Sequence, residues 1–260
     1  MRVLSLGAGV QSTGLALMSE KGELPPVDAL IFADTQWEPE GVYEHLDWLE
    51  TQLSAPVYRV SIGNIRDDHI RSITEGTNIR GIMPLFTGDG FGRRQCTNAY
   101  KIEPVKRQIR TLLGLKKGQR VPKGTTVDQW IGISTDEAGR MKPSSDKWIN
   151  NTWPLIDAGM SRRNCLSWFE DNFPGRTLEK SACIACPFHN DAMWRDIKIN
   201  DPASFAEACA FDDQIRTSQT GKVQYVHRTL QPLAEVDFRN LEDKGQINMF
   251  NNECEGMCGV

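Results

Sequence analysis

The chain has 260 residues, which at about 150 residues per domain gives one principal domain and an appendage. Its 30 Lys and Arg stand against 34 Asp and Glu, a formal charge of −4 that excludes a uniformly basic nucleic-acid coat or a polybasic membrane binder. No apolar run approaches the roughly 18 residues of a membrane span, Ser5 and the glycines interrupt the opening where a signal peptide needs its apolar stretch, and the 7 cysteines are too few, and odd in number, for a disulfide scaffold. The expectation is a cytoplasmic chain with no membrane partner, whose thiols serve metal, cluster or redox chemistry.

Arg2–Leu6 predicts a strand that stops at Gly7-Ala8-Gly9-Val10-Gln11-Ser12-Thr13 and continues as a helix through Leu15, Leu17 and Met18. Asp28–Ala33 predicts a second strand ending at Asp34-Thr35, and the spacing of Val42, Leu46, Leu49 and Leu53 predicts an amphipathic helix after it. Pro56–Val60 is a third strand. Apolar strands alternating with helices pair in parallel with both faces covered, so the fold class is α/β, a doubly wound sheet whose ligands bind at the carboxyl ends of the strands. Residues 77 to 95, rich in glycine and carrying Arg80, Arg93 and Arg94, predict a mobile loop near the site. A helix from Ile102 to Leu115, a core strand from Val127 to Ser134, an extended segment from Trp148 to Leu155 and a helix from Ser161 to Asn172 follow. Then come a cysteine loop over 178–187, two helical segments from Asn190 to Arg216 and a tail without periodicity. The expected division is an α/β domain over 1–160 and a helical, cysteine-bearing C-terminal region with a flexible tail over 161–260.

A turn of small residues at a helix start lets backbone N–H groups approach an anion, helped by the helix dipole, and the hydroxyls of Ser12 and Thr13 are further donors. It is neither a Walker A loop, since no Lys follows, nor a dinucleotide fingerprint, since the third glycine place falls on Ser12. Between Lys101 and Lys123 eight Lys or Arg and one Glu give +7, leaving −11 on the remainder. That asymmetry fits either a phosphate-rich partner such as a nucleic acid or a solvated helix face. Cys183-Ile184-Ala185-Cys186 is a spacing that serves a metal, a cluster, a redox pair or two buried thiols. Cys209, in an apolar helical stretch, reads as core.

These motifs, in their order along the chain, resemble the adenine nucleotide α-hydrolase (PP-loop) superfamily and, within it, the PAPS reductase-like family. Gly7–Thr13 resembles the SGGxDS pattern, with Gly7 in the serine place and Gln11 in the aspartate place. Asp34-Thr35 is similar to the DT pair of PAPS reductases. Arg93 to Pro104 resembles CCxxxKxxP, with Cys96 and Lys101 matched and Thr97 replacing the second cysteine. Gly132 to Arg140 is similar to the GxRxxQ/E…R stretch, with Ser134 where an Arg is common. Glu253-Cys254-Glu255-Gly256 and Cys258-Gly259 each match part of a C-terminal ECG motif.

The resemblance implies a nucleotide-binding domain holding ATP, APS or PAPS at Gly7, Gly9, Gln11, Ser12, Thr13 and Asp34, with Arg93, Arg94, Lys101 and Arg140 on the sulfate and phosphates. It also implies a [4Fe–4S] cluster on Cys96, Cys183 and Cys186, with Cys165 in the fourth place. Cys254 or Cys258 would be the nucleophile that reduces a sulfonucleotide, with a thioredoxin-like protein as reductant. Two alternatives stand beside this. One is a PP-loop ATP pyrophosphatase, using magnesium, that adenylates a substrate for sulfur insertion, a nucleic acid bound through residues 101–123 being one such substrate. The other is a nucleotide-binding protein with a structural zinc.

Overall fold

The computed structural model describes residues 1–75, 83–178, 181–216 and 223–239. In chain order its strands and helices begin with β1 (Arg2–Leu6), α1 (Val10–Glu20), β2 (Ala29–Ala33), α2 (Glu40–Thr51), β3 (Val57–Val60) and α3 (Ile65–Thr74). There follow β4 (Phe86–Thr87), β5 (Gly90–Phe91), α4 (Glu103–Leu112), β6 (Val127–Ile131), β7 (Ile149–Thr152), α5 (Pro154–Asp157) and α6 (Arg162–Asn172). The last are α7 (Asp191–Asn200), α8 (Pro202–Arg216) and β8 (Gln224–Tyr225).

Successive residues of a strand point to opposite faces, and here both faces are apolar. Leu4, Leu6, Leu30, Phe32 and Trp130 pack with Leu15, Leu17, Leu46, Leu49 and Phe169 of α1, α2 and α6. Their neighbours Val3, Ala29, Ile31, Val127 and Ile149 pack on the other face against Val105 and Ile109 of α4. Each fully buried aliphatic chain contributes about 1.5–3 kcal/mol, so period-two sorting fixes the register. The result is a five-stranded, all-parallel sheet in the order β3-β2-β1-β6-β7 with helices on both faces, the expected α/β class.

Contacts divide the chain into two interleaved units. The first comprises Met1–Ile62 and Tyr100–Ser181 and holds this sheet; the second comprises Gly63–Ala99 and the described residues from Ala182. Contacts thus draw the division elsewhere than the boundary expected at residue 160. The reason is packing: α6, beyond that boundary, buries Cys165 and Phe169 in the core of the first unit, while α3 packs with α8 in the second. Start signals are local: Ser161 and Asn164 form a capping box on α6, and the Asn64 and Asn190 side chains accept from first-turn N–H groups of α3 and α7.

In the second unit the expected loop over 77–95 is a hairpin in its described part. β4 pairs antiparallel with β5 and with β8, giving the sheet order β5-β4-β8. Strands of two residues leave no alternation for sequence reading to find. Buried His69 ties this unit together: its Nδ1 accepts from the Met83 N–H at 3.2 Å, so Nε2 carries the proton and donates to Gln224 Oε1 at 3.3 Å.

Burial pushes the pKa of His69 down to about 4. His45 in the first unit is also held at about 4, by burial and then by Arg176, and His227 is lowered mainly by burial. Such groups protonate more readily when unfolded, so their stabilisation is complete above about pH 6.5 and is lost as pH falls toward about 4. Denaturant midpoints measured from pH 7 to pH 4 are expected to fall across that window. His69→Asn should start lower at pH 7 and fall less steeply; an equally steep fall would remove His69 as a source of the acid sensitivity.

Candidate anion site at the carboxyl edge of the sheet

The chain adds strands outward from β1 to β3, then returns to the other side of β1 with β6 and β7, so the topological reversal lies between β1 and β6. The carboxyl ends of strands beside such a reversal leave a crevice that ligands use. Gly7–Gly9 follow β1 there, and Gly132–Ser134 follow β6. Ala8 has φ +53°, a left-handed conformation that costs a non-glycine residue roughly 1 kcal/mol. Gly9 caps α1 in extended conformation, with no side-chain cap and no acid in the first turn. The helix thus supplies no acidic cap to its own positive end, an arrangement that receives phosphate or sulfate.

The hydroxyls expected to donate to that anion shape the turn instead. Ser12 Oγ accepts from Gly7 N at 3.1 Å and donates to Gly9 O at 3.2 Å. Thr13, fully buried, places Oγ1 3.0 Å from Nε2 of buried His45 on α2. Gly132 permits the close approach of the β6 end, since a Cβ there would lie 2.9 Å from Ser12 N.

Two polar groups flank the turn. Gln11 Nε2 donates to Ser134 Oγ at 3.3 Å and to Glu137 Oε2 at 3.2 Å, and Glu137 Oε1 holds Arg140 NH1 at 2.7 Å. Ser134 in turn bonds to Asp136, whose carboxylate also accepts from Arg162 N at 2.9 Å; these bonds lower the Asp136 pKa against its burial. On the other side Glu38, 4% exposed, accepts from Thr35 Oγ1 at 3.1 Å and from Ser181 Oγ at 3.5 Å, with Lys101 Nζ 3.9 Å away. Ser181 borders the turn: its Cβ lies 3.9 Å from where a Cβ of Gly9 would stand. Asp34 accepts from Gln36 N at 2.7 Å and Tyr43 OH at 2.9 Å, which with burial raises the tyrosine pKa.

The first unit thus gathers Gly7, Gly9, Gln11, Ser12, Thr13, Asp34, Lys101 and Arg140 on the β1, β2 and β6 ends and the segments around them. Arg93 and Arg94 belong to the second unit, exposed, with the Arg94 guanidinium 4.7 Å above the Phe188 ring. Cys96, Cys183 and Cys186 are in that unit as well, where Cys186 N bonds to Cys183 O at 3.0 Å in a tight turn. Cys165, expected in the fourth ligand place, belongs to the first unit. It is fully buried in the core of the first unit, its Cβ 3.8 Å from where a Cβ of Gly14 would stand, and burial pushes its thiol up to about 11. Among the described residues no group of three or more His, Cys, Asp or Glu is placed to hold a metal ion. Cys254 and Cys258 lie outside the described residues. Cys209 is half-buried on α8, and burial raises its pKa.

Glu38, His45 and Ser181 lie outside the sequence motifs, whereas Glu137 stands in the Q/E place of the Gly132–Arg140 stretch, a pattern that does not show its contact with Gln11. His45 had a signal: it falls three residues after Val42 on the apolar face of α2, where a polar residue needs a reason. Glu38 and Glu137 stand five and six residues beyond the ends of β2 and β6, within the segments that Asp34 and Gly132 open.

Neither a family model nor a curated protein matches the sequence. Among solved structures the chain is similar to the crystal structure of phosphoadenylyl-sulfate (PAPS) reductase from Candida auris, a phosphate complex. The two are 16% identical, over 66% of this chain and 72% of that one, with a TM-score of 0.43. The class of the chain itself, a parallel α/β sheet with its strand reversal between β1 and β6, follows from its own strand order.

Proposed function

We propose that this chain is an enzyme that binds an adenine nucleotide through its phosphate or sulfate groups at the Gly7–Thr13 turn and acts on that end, as a PAPS reductase-like protein. The observation that carries the reading is the uncapped start of α1 at the strand reversal, with Ala8 in the left-handed region. Backbone N–H groups would hold the anion, and Lys101 and Arg140 would offset charge developing on the leaving nucleotide. In the sulfonucleotide reaction a thiolate of Cys254 or Cys258 attacks the sulfur. The S–O bond breaks with its electron pair leaving on AMP or its 3′-phosphate, and the S-sulfocysteine passes to a thioredoxin-like reductant.

One observation favours the ATP pyrophosphatase reading. Among the described residues this edge carries the carboxylates of Asp34, Glu38, Asp136 and Glu137 beside Lys101, Arg140 and Arg162, so a polyphosphate entering it meets negative charge that a cation of its own would offset. Magnesium would then arrive on the nucleotide's phosphates, the usual way this hard ion is held, and residues 101–123 would carry the nucleic-acid acceptor.

Anaerobically purified protein incubated separately with ATP, APS and PAPS separates the readings. Sulfite with AMP or its 3′-phosphate supports the first, and pyrophosphate from ATP alone moves the assignment to the second. Calorimetry showing no affinity for any of the three would overturn both.

A further inference from the structure

Gln11 occupies the second position of α1, beside the N–H groups that would hold an anion. The hydrogen-bond directions around it are set by charge. Asp136 takes the hydroxyl proton of Ser134, so Ser134 Oγ offers a lone pair to one amide hydrogen of Gln11, at 3.3 Å. The carboxylate of Glu137 takes the other at 3.2 Å and, through its second oxygen, holds Arg140 at 2.7 Å. The segment Thr135–Arg140 consists of two short 3-10 turns joined at Glu137, whose φ of −116° breaks the helix. The Glu137 side chain is mostly enclosed, at 14% exposure.

We infer that Glu137 is a positioning residue that fastens Arg140 to the glycine turn through Gln11, and that residue 11 is an amide because it faces this carboxylate. With both amide hydrogens engaged inside the protein, Gln11 is not itself an anion donor. That work falls to the first-turn N–H groups and to Arg140, and Glu137 fixes the distance between them. A carboxylate at position 11 would meet Glu137 at about the 3.2 Å of the present bond, and two carboxylates so close do not both ionise, so one would take up a proton near neutral pH. The anion-binding part of this inference rests on the function proposed above; the pairing part does not.

Glu137 and residue 11 are tested by exchange. In Gln11→Glu, affinity for ATP and APS relative to the parent at the same pH should fall at least tenfold at pH 8 and recover as pH drops to 5.5. Its thermal midpoint should show the same pattern without ligand, depressed at pH 8 and closer to the parent at pH 5.5. Adding Glu137→Gln lets the new amide at 137 donate to the new carboxylate at 11, and should remove the pH dependence of both measurements. In an Arg140→Ala background, Glu137→Gln should add nothing to the loss of affinity, since it retains an acceptor for Gln11 and removes only the hold on the arginine. A midpoint deficit independent of pH, or persisting in the exchanged pair, overturns the pairing. Additive losses in the arginine background overturn the positioning role. A pH-dependent midpoint in Gln11→Glu, with a parent protein that binds neither nucleotide, leaves the pairing standing and removes the proposed function.

Discussion

Gly132→Ala should unfold roughly 4–12 °C below the parent chain and lose at least tenfold in affinity for adenine nucleotides. An ideal Cβ at this position lies 2.9 Å from Ser12 N, 3.2 Å from the Gln11 carbonyl carbon and 3.2 Å from Ser12 Cα, all of them backbone atoms. A side chain could rotate away; the first turn of α1 can move only by shifting the helix or the end of β6. Overpacking of this kind costs about 2–3 kcal/mol, and a chain of this size loses about 2–4 °C per kcal/mol. The same shift misdirects the first-turn N–H groups, so affinity falls with stability. Gly9→Ala is the control, because a Cβ there comes only within 3.9 Å of Ser181 Cβ, an ordinary contact. That variant should keep its midpoint while still losing affinity to the methyl group in the anion's path. Scanning calorimetry and nucleotide titration of the two variants decide the matter, and an unshifted midpoint in Gly132→Ala would sink the argument.

Asp212→Ala should cost about 3–5 kcal/mol, the range for removing one partner from a buried charge pair. Asp212 is fully buried on α8, accepts from Val226 N at 2.8 Å and from Leu233 N at 2.9 Å, and pairs with Arg216 one turn later. Removing the carboxylate strands two buried backbone donors and takes from Arg216 its buried partner, leaving Asp213 on the other nitrogen. Asp212→Asn should lie between, since its amide keeps one oxygen acceptor but turns N–H toward a donor. Urea unfolding gives the magnitude, and faster amide exchange at Val226 and Leu233 than elsewhere locates it. A cost below about 1 kcal/mol would mean that these bonds contribute little beyond hydration.

The sheet was legible because β1, β2 and β6 are apolar on both faces and each is followed by a turn residue that only a strand end explains. The glycine turn was legible for the same reason. What the side chains of that turn do was not. Ser12 and Thr13 read as donors to a ligand, but a hydroxyl pairs with whatever the fold brings nearest, here Gly9 O and His45. Ser181 and Gly9 are neighbours through topology alone, and Glu38 earns its place only once Lys101 and Ser181 are folded beside it. Cys165 illustrates the converse. Its position on α6 gives no sign in the sequence that its side chain packs beside Gly14 in the core of the first unit.

The interleaving of the two units constrains how the protein can be made. During synthesis Gly63–Ala99 emerges from the ribosome before its partners, since α3 packs with α8 and β4 pairs with β8, both encoded near the far end. Until those residues appear, the apolar side chains of α3 and the hairpin edge have nothing native to cover them, a state prone to off-pathway association. The first unit, by contrast, is fully translated by Ser181. A gene fragment ending there would encode the whole parallel sheet but leave an orphaned insertion within it, so a soluble minimal version must replace residues 63–99 with a short linker rather than merely stop early.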